Sequence, residues 1–201
     1  MLDKSIEFHS IIMKHPNNQE IVEPTMPNGF SVRFYEPGDE KHWAVIQTAV
    51  QEFDHVEDAL ECFQHYLKHE EELRHRQIYM IDNEKEIPVA TATAWFSEYG
   101  GKSIGVVHAF SCLPEYQSLG LGRISAIYMM KCFRDCMPDS EVWLDTQTWS
   151  YRAIGIYLGL GFIPMKTAVY NEAPNEFQEA VQVLKGKMRP DIYQKFIETA
   201  K

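Results

Sequence analysis

The alternation of apolar and polar residues along the chain predicts strands interleaved with helices. Residues 77–81 and 87–96 are two β-prone runs on either side of a short charged turn, which is typical of a hairpin. Residues 102–113 form a third run, which Pro114 ends because proline has no N–H to donate. The remaining strands are expected over residues 5–13, 29–35, 141–147 and 161–171. Together these segments predict a mixed sheet.

Apolar residues also recur at intervals of three and four along several segments, which predicts helices with one buried face. Asp39 stands at the N-cap position of the first of these helices. A second helix is expected over 56–73 and a short one over 150–159, and Pro190 divides two more near the C-terminus. The clearest pattern follows Gly122, where the buried face should consist of Ala126, Met129, Met130, Phe133 and Met137.

Composition and charge narrow the class of protein. Of the 201 residues, 45% are hydrophobic and 24% are charged, as in a globular protein with one sizeable core. The formal net charge of -10 argues against binding to nucleic acid or to an anionic membrane, because either needs a basic face. The N-terminus has no apolar core of signal-peptide length and no apolar stretch is long enough to span a membrane, so we expect a cytoplasmic location.

The four cysteines contain no C-x-x-C pair, which predicts reduced core residues rather than a metal or redox site. Cys132 and Cys136 are four residues apart on the long predicted helix, a spacing that suits two neighbouring small apolar side chains. We therefore expect no metal.

The stretch QSLGLGR, residues 117–123, lies between a predicted strand and the long helix. It is not a Rossmann fingerprint, because Ser125 occupies the place of the third glycine. It is not a P-loop either, because Gly122 is followed by Arg123 and Ile124. Two glycines before a helix form either a simple tight turn or a cradle in which a phosphate approaches unpaired helix amides. The pattern alone leaves both interpretations open.

Two motifs in this part of the chain resemble those of the GNAT superfamily of acyl-CoA-dependent N-acetyltransferases. The first is CLPEYQSLGLG, which matches the family's central motif at Gln117, Gly120 and Gly122. The second normally runs from Asn through Ala and Tyr to Gly-Phe, and its counterparts here are Ser150, Ala153, Tyr157, Gly161 and Phe162. Ser150 thus stands where the family usually has asparagine. The resemblance covers residues 29–171.

The resemblance implies an α/β (α+β) fold with a single GNAT-like domain, a mixed and mostly antiparallel twisted sheet, and helices on both faces. Residues 1–28 would be an N-terminal extension packing on the core at 29–171, and residues 172–201 a C-terminal helical extension. The implied reaction is direct transfer of an acetyl group from acetyl-CoA, as co-substrate, to a primary amine of a small molecule. A protein or peptide amine, and a non-catalytic acyl-CoA-binding sensor, are the alternatives. Whether the chain is a homodimer stays open.

The resemblance also implies the residues of the site. Tyr157 matches the general acid, since a phenol with a pKa of about 10 can protonate a departing thiolate; the alternative is a core aromatic residue. His108, in phase with Val106 and Phe110, can take the proton of the amine, or it is a hydrogen-bonded core histidine. Glu98 and Glu52 are weaker candidates for the base. The cofactor would contact Cys112, Leu113, Gln117, Ser118, Leu119, Gly120, Leu121, Gly122, Arg123 and Ser150.

Overall fold

The computed structural model describes residues 2–170 and 174–201, which contain seven strands and seven α-helices. The strands are β1 (Ser10–His15), β2 (Phe30–Phe34), β3 (Gln77–Asp82), β4 (Ile87–Tyr99), β5 (Lys102–Cys112), β6 (Val142–Gln147) and β7 (Ile163–Pro164). The helices are α1 (Glu40–Ala49), α2 (Val56–Leu67), α3 (Glu70–Arg76), α4 (Leu121–Cys136), α5 (Tyr151–Leu160), α6 (Phe177–Leu184) and α7 (Pro190–Thr199). Two short 3₁₀ turns lie at Pro114–Tyr116 and Thr148–Ser150.

The strands hydrogen-bond in the order β2-β3-β4-β5-β6-β1-β7. The β2/β3, β3/β4, β1/β6 and β1/β7 pairs are antiparallel. The β5/β6 pair is parallel, with Gly105 opposite Val142 and Val106 opposite Trp143. The mixed and mostly antiparallel sheet expected from the sequence is therefore confirmed.

The described residues form two compact units. The first unit comprises residues 20–95 and 107–138, and the second comprises residues 2–19, 96–106 and 139–201. The expected boundary between residues 171 and 172 lies outside the described residues, and the division into a core and two extensions stays a prediction.

The core of the first unit is built around an aromatic cluster and the apolar face of α4. Trp43 of α1 packs against Phe63 of α2, with ring centroids 5.1 Å apart. All five residues predicted for the buried face of the long helix are buried. Four of them lie in α4, and the fifth, Met137, directly follows it. Burial of such side chains contributes about 1.5–3 kcal/mol each, so this face fixes α4 in the unit.

The core of the second unit surrounds Trp143 of β6. Its ring packs against Tyr170 at a centroid distance of 5.7 Å and against Tyr99 at 4.7 Å. The ammonium group of Lys14 lies 3.5 Å from the centre of the same ring. Ile12, Ile104 and Val106 complete the cluster.

Three predicted elements differ in extent from those observed. The strand expected over 5–13 is β1, which begins at Ser10 and ends at His15. The expected helix over 56–73 is two helices, α2 and α3, because the backbone leaves the helical region at His69. Three glutamates then begin α3, where the positive end of a new helix stabilises acidic side chains. The expected strand over 161–171 is only the two-residue β7; its residue Pro164 cannot donate to a ladder, and residue 171 lies outside the described range.

Asp39 occupies the N-cap position of α1 as expected, but its carboxylate does not cap the helix. It instead accepts hydrogen bonds from the guanidinium of Arg33 at 2.5 and 2.8 Å and from the backbone N–H of Glu36 at 2.8 Å. A bidentate guanidinium is a stronger partner for a buried carboxylate than a helix amide. The residue therefore joins the end of β2 to the start of α1.

The four cysteines are free thiols. Cys132 is buried as expected, but Cys136 is exposed, so the expectation that all four are core residues is wrong for Cys136. Within residues 2–170 and 174–201, no three His, Cys, Asp or Glu side chains are grouped as metal ligands. No helix in that part of the chain is both long and apolar enough to cross a membrane.

Candidate functional site

Residues 117–123, here called the glycine loop, connect the turn at Pro114–Tyr116 to α4. Two of them have left-handed backbone conformations, Ser118 with φ of 68° and Gly120 with φ of 84°. Gly120 is the N-cap of α4, and its carbonyl accepts the N–H of Ile124 at 3.1 Å. The N–H groups of residues 121–123 precede that bond and have no partner within the helix.

The start of α4 is suited to an anion. Its first turn contains no acidic residue, and Arg123 in that turn is exposed. Ser118, Leu119 and Gly120 are exposed as well, so the loop is accessible from solvent. Helix amides at the positive end of a helix dipole bind phosphate groups. The loop can therefore hold a phosphate in spite of the negative net charge of the chain.

Both ends of the glycine loop are tied to the first unit. At its start, the side-chain amide of Gln117 donates to the carbonyl of Cys112 at 3.0 Å. The next residue after Cys112, Leu113, donates its N–H to the carbonyl of Val89 in β4 at 2.9 Å. At the other end of the loop, the side chain of Leu121 is buried in the core cluster. The exposed backbone therefore lies between fixed points.

Cys112 lies at the end of β5 and is half-buried. Burial raises the pKa of its thiol to about 12. A thiol is a nucleophile only as the thiolate, so Cys112 is unreactive at neutral pH. It fits a packing and backbone-contact role and does not fit the role of an acyl-carrying nucleophile.

His108 in β5 is hydrogen-bonded to Tyr66 of α2, with the phenol oxygen 3.1 Å from Nδ1. The Tyr66 ring lies among aromatic rings, including those of Phe63 at 5.4 Å and Trp95 at 5.1 Å. Burial raises the pKa of the Tyr66 phenol, which therefore keeps its proton at neutral pH. The hydrogen bond orients the imidazole through Nδ1, so any proton exchange with a substrate would involve Nε2.

The strand that carries His108 is distorted next to it. Ala109 has a φ of 49°, which interrupts the regular alternation of side chains on which the common phase of His108 and Phe110 was based. Gln47 of α1 is buried beside this point. Its amide donates to the carbonyl of Ala109 at 3.4 Å and accepts the hydroxyl of Ser111 at 3.0 Å. Gln47 thus hydrogen-bonds to the distorted residue Ala109 and to Ser111, which lies two positions further along the strand.

Tyr157 belongs to α5 in the second unit and is 6% exposed. Its ring centroid lies 5.6 Å from that of Phe162. The helix ends at Gly161, where the N–H of Phe162 returns to the carbonyl of Tyr157 at 3.0 Å. A φ of 96° at Gly161 favours glycine there, because an L-residue is strained at positive φ, and the end of the flexible Gln19 side chain, 2.6 Å from where a Cβ would be, would have to move aside.

Ser150 is the N-cap residue of α5, but its hydroxyl makes no capping hydrogen bond. It is half-buried at the end of the turn Thr148–Ser150. Thr148 fixes that turn on the segment that precedes β1: its hydroxyl accepts the N–H of His9 at 3.0 Å and donates to the carbonyl of Glu7 at 2.5 Å. The position of Ser150 is therefore set by the backbone around it.

The predicted site residues are divided between the two units. The first unit contains the glycine loop together with Leu113, Cys112 and His108, whereas the second contains Ser150 and Tyr157. The roles assigned to these residues stay predictions. Glu52 and Glu98, the weaker candidates for the base, have exposed side chains.

The sequence did not identify three residues that lie near these positions: Gln47, Tyr66 and Tyr116. Gln47 carried a signal, because a single polar residue four positions after Trp43 interrupts the inward face of α1. Tyr116 stands directly before the glycine loop, but a tyrosine at that place fits a simple turn as well as a side chain that anchors the loop. Tyr66 lies 42 residues from His108 in the chain, and no sequence pattern connects them.

A protein-family model described as the acetyltransferase (GNAT) family matches residues 43–162. A curated relative, mycothiol acetyltransferase from Streptomyces griseus subsp. griseus, is 25% identical over 148 residues. That match covers 71% of this chain and 46% of the relative, so the chain spans about half the length of that protein.

Solved structures share the fold at low identity. An acetyltransferase from the GNAT family of Colwellia psychrerythraea has a TM-score of 0.60 at 7% identity, over 81% of this chain and 55% of that one. A GCN5-related N-acetyltransferase from Sphaerobacter thermophilus has a TM-score of 0.56 at 18% identity, over 79% and 49%. A chain of the NatC complex bound to Gag peptide and CoA has a TM-score of 0.56 at 15% identity, over 72% of this chain and 92% of that one.

Proposed function

Because the chain belongs to the acetyltransferase (GNAT) family, we propose that it is an acetyl-CoA-dependent N-acetyltransferase acting on a primary amine. The observation that carries the proposal is the glycine loop. It places the N-terminal amides of α4 directly after the exposed residues 118–120, two of which are left-handed, at the position where the family motif has its pyrophosphate site. The whole reaction, including its acceptor, is part of the proposal.

The residues of the glycine loop fit the phosphates of the cofactor. The N–H groups of residues 121–123 would hold the pyrophosphate, and the exposed Arg123 would add a positive charge beside it. The carbonyl of Cys112 already accepts the Gln117 amide but has a second lone pair for the pantetheine arm. When bound, acetyl-CoA supplies the acetyl group as a reactive thioester.

In the proposed reaction, the neutral amine attacks the thioester carbonyl, a C–N bond forms and the C–S bond breaks. His108 would accept the proton released by the amine nitrogen through Nε2, in the tautomer whose Nδ1–H donates to the phenol oxygen of Tyr66. Tyr157 would donate its phenolic proton to the departing sulfur, so both protons are accounted for. The neutral thiol of Cys112 supports direct transfer over a route through an acyl-enzyme.

We propose a small molecule as the acceptor. The relative from Streptomyces griseus is named for mycothiol, a small molecule, and that protein is the support for this choice. The second candidate is a peptide amine, which is favoured by the structural likeness to a chain of a complex crystallised with a peptide. Ser150 in place of the family's asparagine keeps a third alternative, binding of acyl-CoA without turnover.

One pair of measurements separates these alternatives. Calorimetry with acetyl-CoA should show binding, and absence of binding at high micromolar cofactor would contradict both the enzyme and the sensor. Release of free CoA thiol is then followed with a library of small primary amines and, in parallel, with peptides bearing free α-amino groups or lysines. Turnover with small amines supports the proposal, turnover with peptides alone supports the second candidate, and binding without thiol release supports the sensor.

A further inference from the structure

We propose that Tyr116 is a positioning residue for the phosphate-binding backbone of the glycine loop. This inference rests on the proposed function, because it assumes that the loop binds the phosphates of CoA. Tyr116 is the last residue of the turn Pro114–Tyr116 and directly precedes the loop. It is 6% exposed, so its ring belongs to the core while its backbone leads into exposed chain.

The hydroxyl of Tyr116 has two charged partners. It donates to the Oδ2 of Asp82 at 2.8 Å and accepts from the ammonium of Lys85 at 2.7 Å. The edge of its ring meets the ring of Phe30 in β2, with centroids 6.2 Å apart. Charge-assisted bonds of this length are stronger than those between neutral groups, so the tyrosine is held at its far end.

Asp82 is itself fixed, because it ends β3 and begins the turn to β4. Its Oδ1 accepts the N–H groups of Glu84 at 3.0 Å and Lys85 at 3.2 Å. These bonds and the Tyr116 hydroxyl lower the pKa of the Asp82 carboxyl, which is ionised at neutral pH. The hairpin turn is therefore a rigid support, and Tyr116 connects that support to the loop.

This connection matters because the middle of the loop is exposed. Its exposed residues include the two left-handed positions Ser118 and Gly120, whereas Gln117 and Leu121 at its ends are held by a hydrogen bond and by the core cluster. Amides bind a phosphate well only if they point at it before it arrives. Loss of the Tyr116 hydroxyl would loosen the first end, which the Gln117 side chain would still hold, and so weaken phosphate binding without touching any reacting atom.

The test compares Tyr116→Phe with Tyr128→Phe, a matched control in the same unit. Tyr128 lies on α4 and gives its hydroxyl to Glu23 at 3.2 Å, away from the start of the helix. Calorimetry with CoA should show a Kd about 3- to 10-fold higher for Tyr116→Phe, because the two charge-assisted hydrogen bonds of the hydroxyl are lost, and no change for Tyr128→Phe.

A second variant, Asp82→Asn, keeps the test informative if Tyr116→Phe fails to fold. It should raise the Kd in the same direction, and the double variant should add little to either single change. Thermal unfolding is measured in parallel, since a merely structural role would lower the Tm and leave the Kd unchanged. An unchanged Kd in a folded variant overturns the inference, whereas failure of the wild-type chain to bind CoA overturns the proposed function itself.

Discussion

Tyr157 offers a test of the chemistry at a single atom. Its ring is packed against Phe162, so Tyr157→Phe removes the hydroxyl and keeps the buried surface. If the phenol is the general acid, kcat should fall about 100-fold or more, with the KM for acetyl-CoA nearly unchanged. Steady-state kinetics with an acceptor from the amine screen would measure this. An unchanged kcat would assign Tyr157 to the core.

Gly161 tests the backbone at the end of α5. Gly161→Ala should lower the free energy of unfolding by about 1–2 kcal/mol, because an L-residue is disfavoured at positive φ, while the flexible end of the Gln19 side chain would move away from the added Cβ. Gly159→Ala is the matched control, since no atom lies within 4 Å of the added Cβ. Because alanine is favoured over glycine inside a helix, the free energy of unfolding of this control variant should rise by up to about 1 kcal/mol. Urea unfolding of both variants checks the prediction, and similar effects would contradict it.

At this scale the sequence predicts residues whose role is local and misses those whose partner is distant. Gly120 and Gly161 were both picked out by motifs, and both have positive φ, because glycine at a turn has a direct conformational meaning. The pairing of Tyr66 with His108 did not, because it depends on how α2 packs on β5. The distortion at Ala109 was missed too, since alanine carries no signal for positive φ.

At the scale of elements, Gln47 tests how α1 supports β5. Gln47→Leu fills the same space but leaves the Ser111 hydroxyl and the Ala109 carbonyl without their side-chain partner. We expect a loss of about 1–3 kcal/mol in the free energy of unfolding, because buried polar groups lose hydrogen bonds. The exposed Gln64→Leu should change it by less than about 0.5 kcal/mol. Equal values for the two variants in chemical denaturation would contradict this support.

Elements were predicted well where periodicity is long and less well where local signals compete. The hairpin of β3 and β4, the strand β5 and the long helix α4 agree with their predicted ranges within a few residues. The predicted helix over 56–73 was wrong at His69, where the glutamates after it begin a second helix. The last strand was wrong because its apolar alternation continues to residue 170, whereas its regular register with β1 ends at Pro164 and one further hydrogen bond runs from Met165 to Ile12.

At the scale of the whole chain, several carboxyls have pKa values below the ordinary range, including Asp3, Glu23, Asp82 and Asp191. A carboxyl with a lowered folded-state pKa stabilises the fold above its unfolded value of about 4, and this stabilisation is lost as the pH falls through the folded value. The free energy of unfolding should therefore decrease below about pH 4.

Asp82→Asn isolates one of these groups. The variant should be less stable than the wild type at pH 6–7, and the difference should shrink as the pH falls below about 4, because the wild-type carboxyl then gains its proton. Thermal unfolding of both proteins across that range measures the difference. A gap of constant size would show that the stabilisation comes from packing and not from the charge.

The brevity of β7 limits how other chains can pair with this sheet. Both β2 and β7 end the strand order, but β7 offers only two residues, one of which is Pro164 without an N–H. The terminal strand β2 has five residues and includes Phe34, which is 45% exposed. A partner that extends the sheet by adding a strand would therefore join at β2, while proline at the opposite edge discourages uncontrolled stacking of chains into longer assemblies.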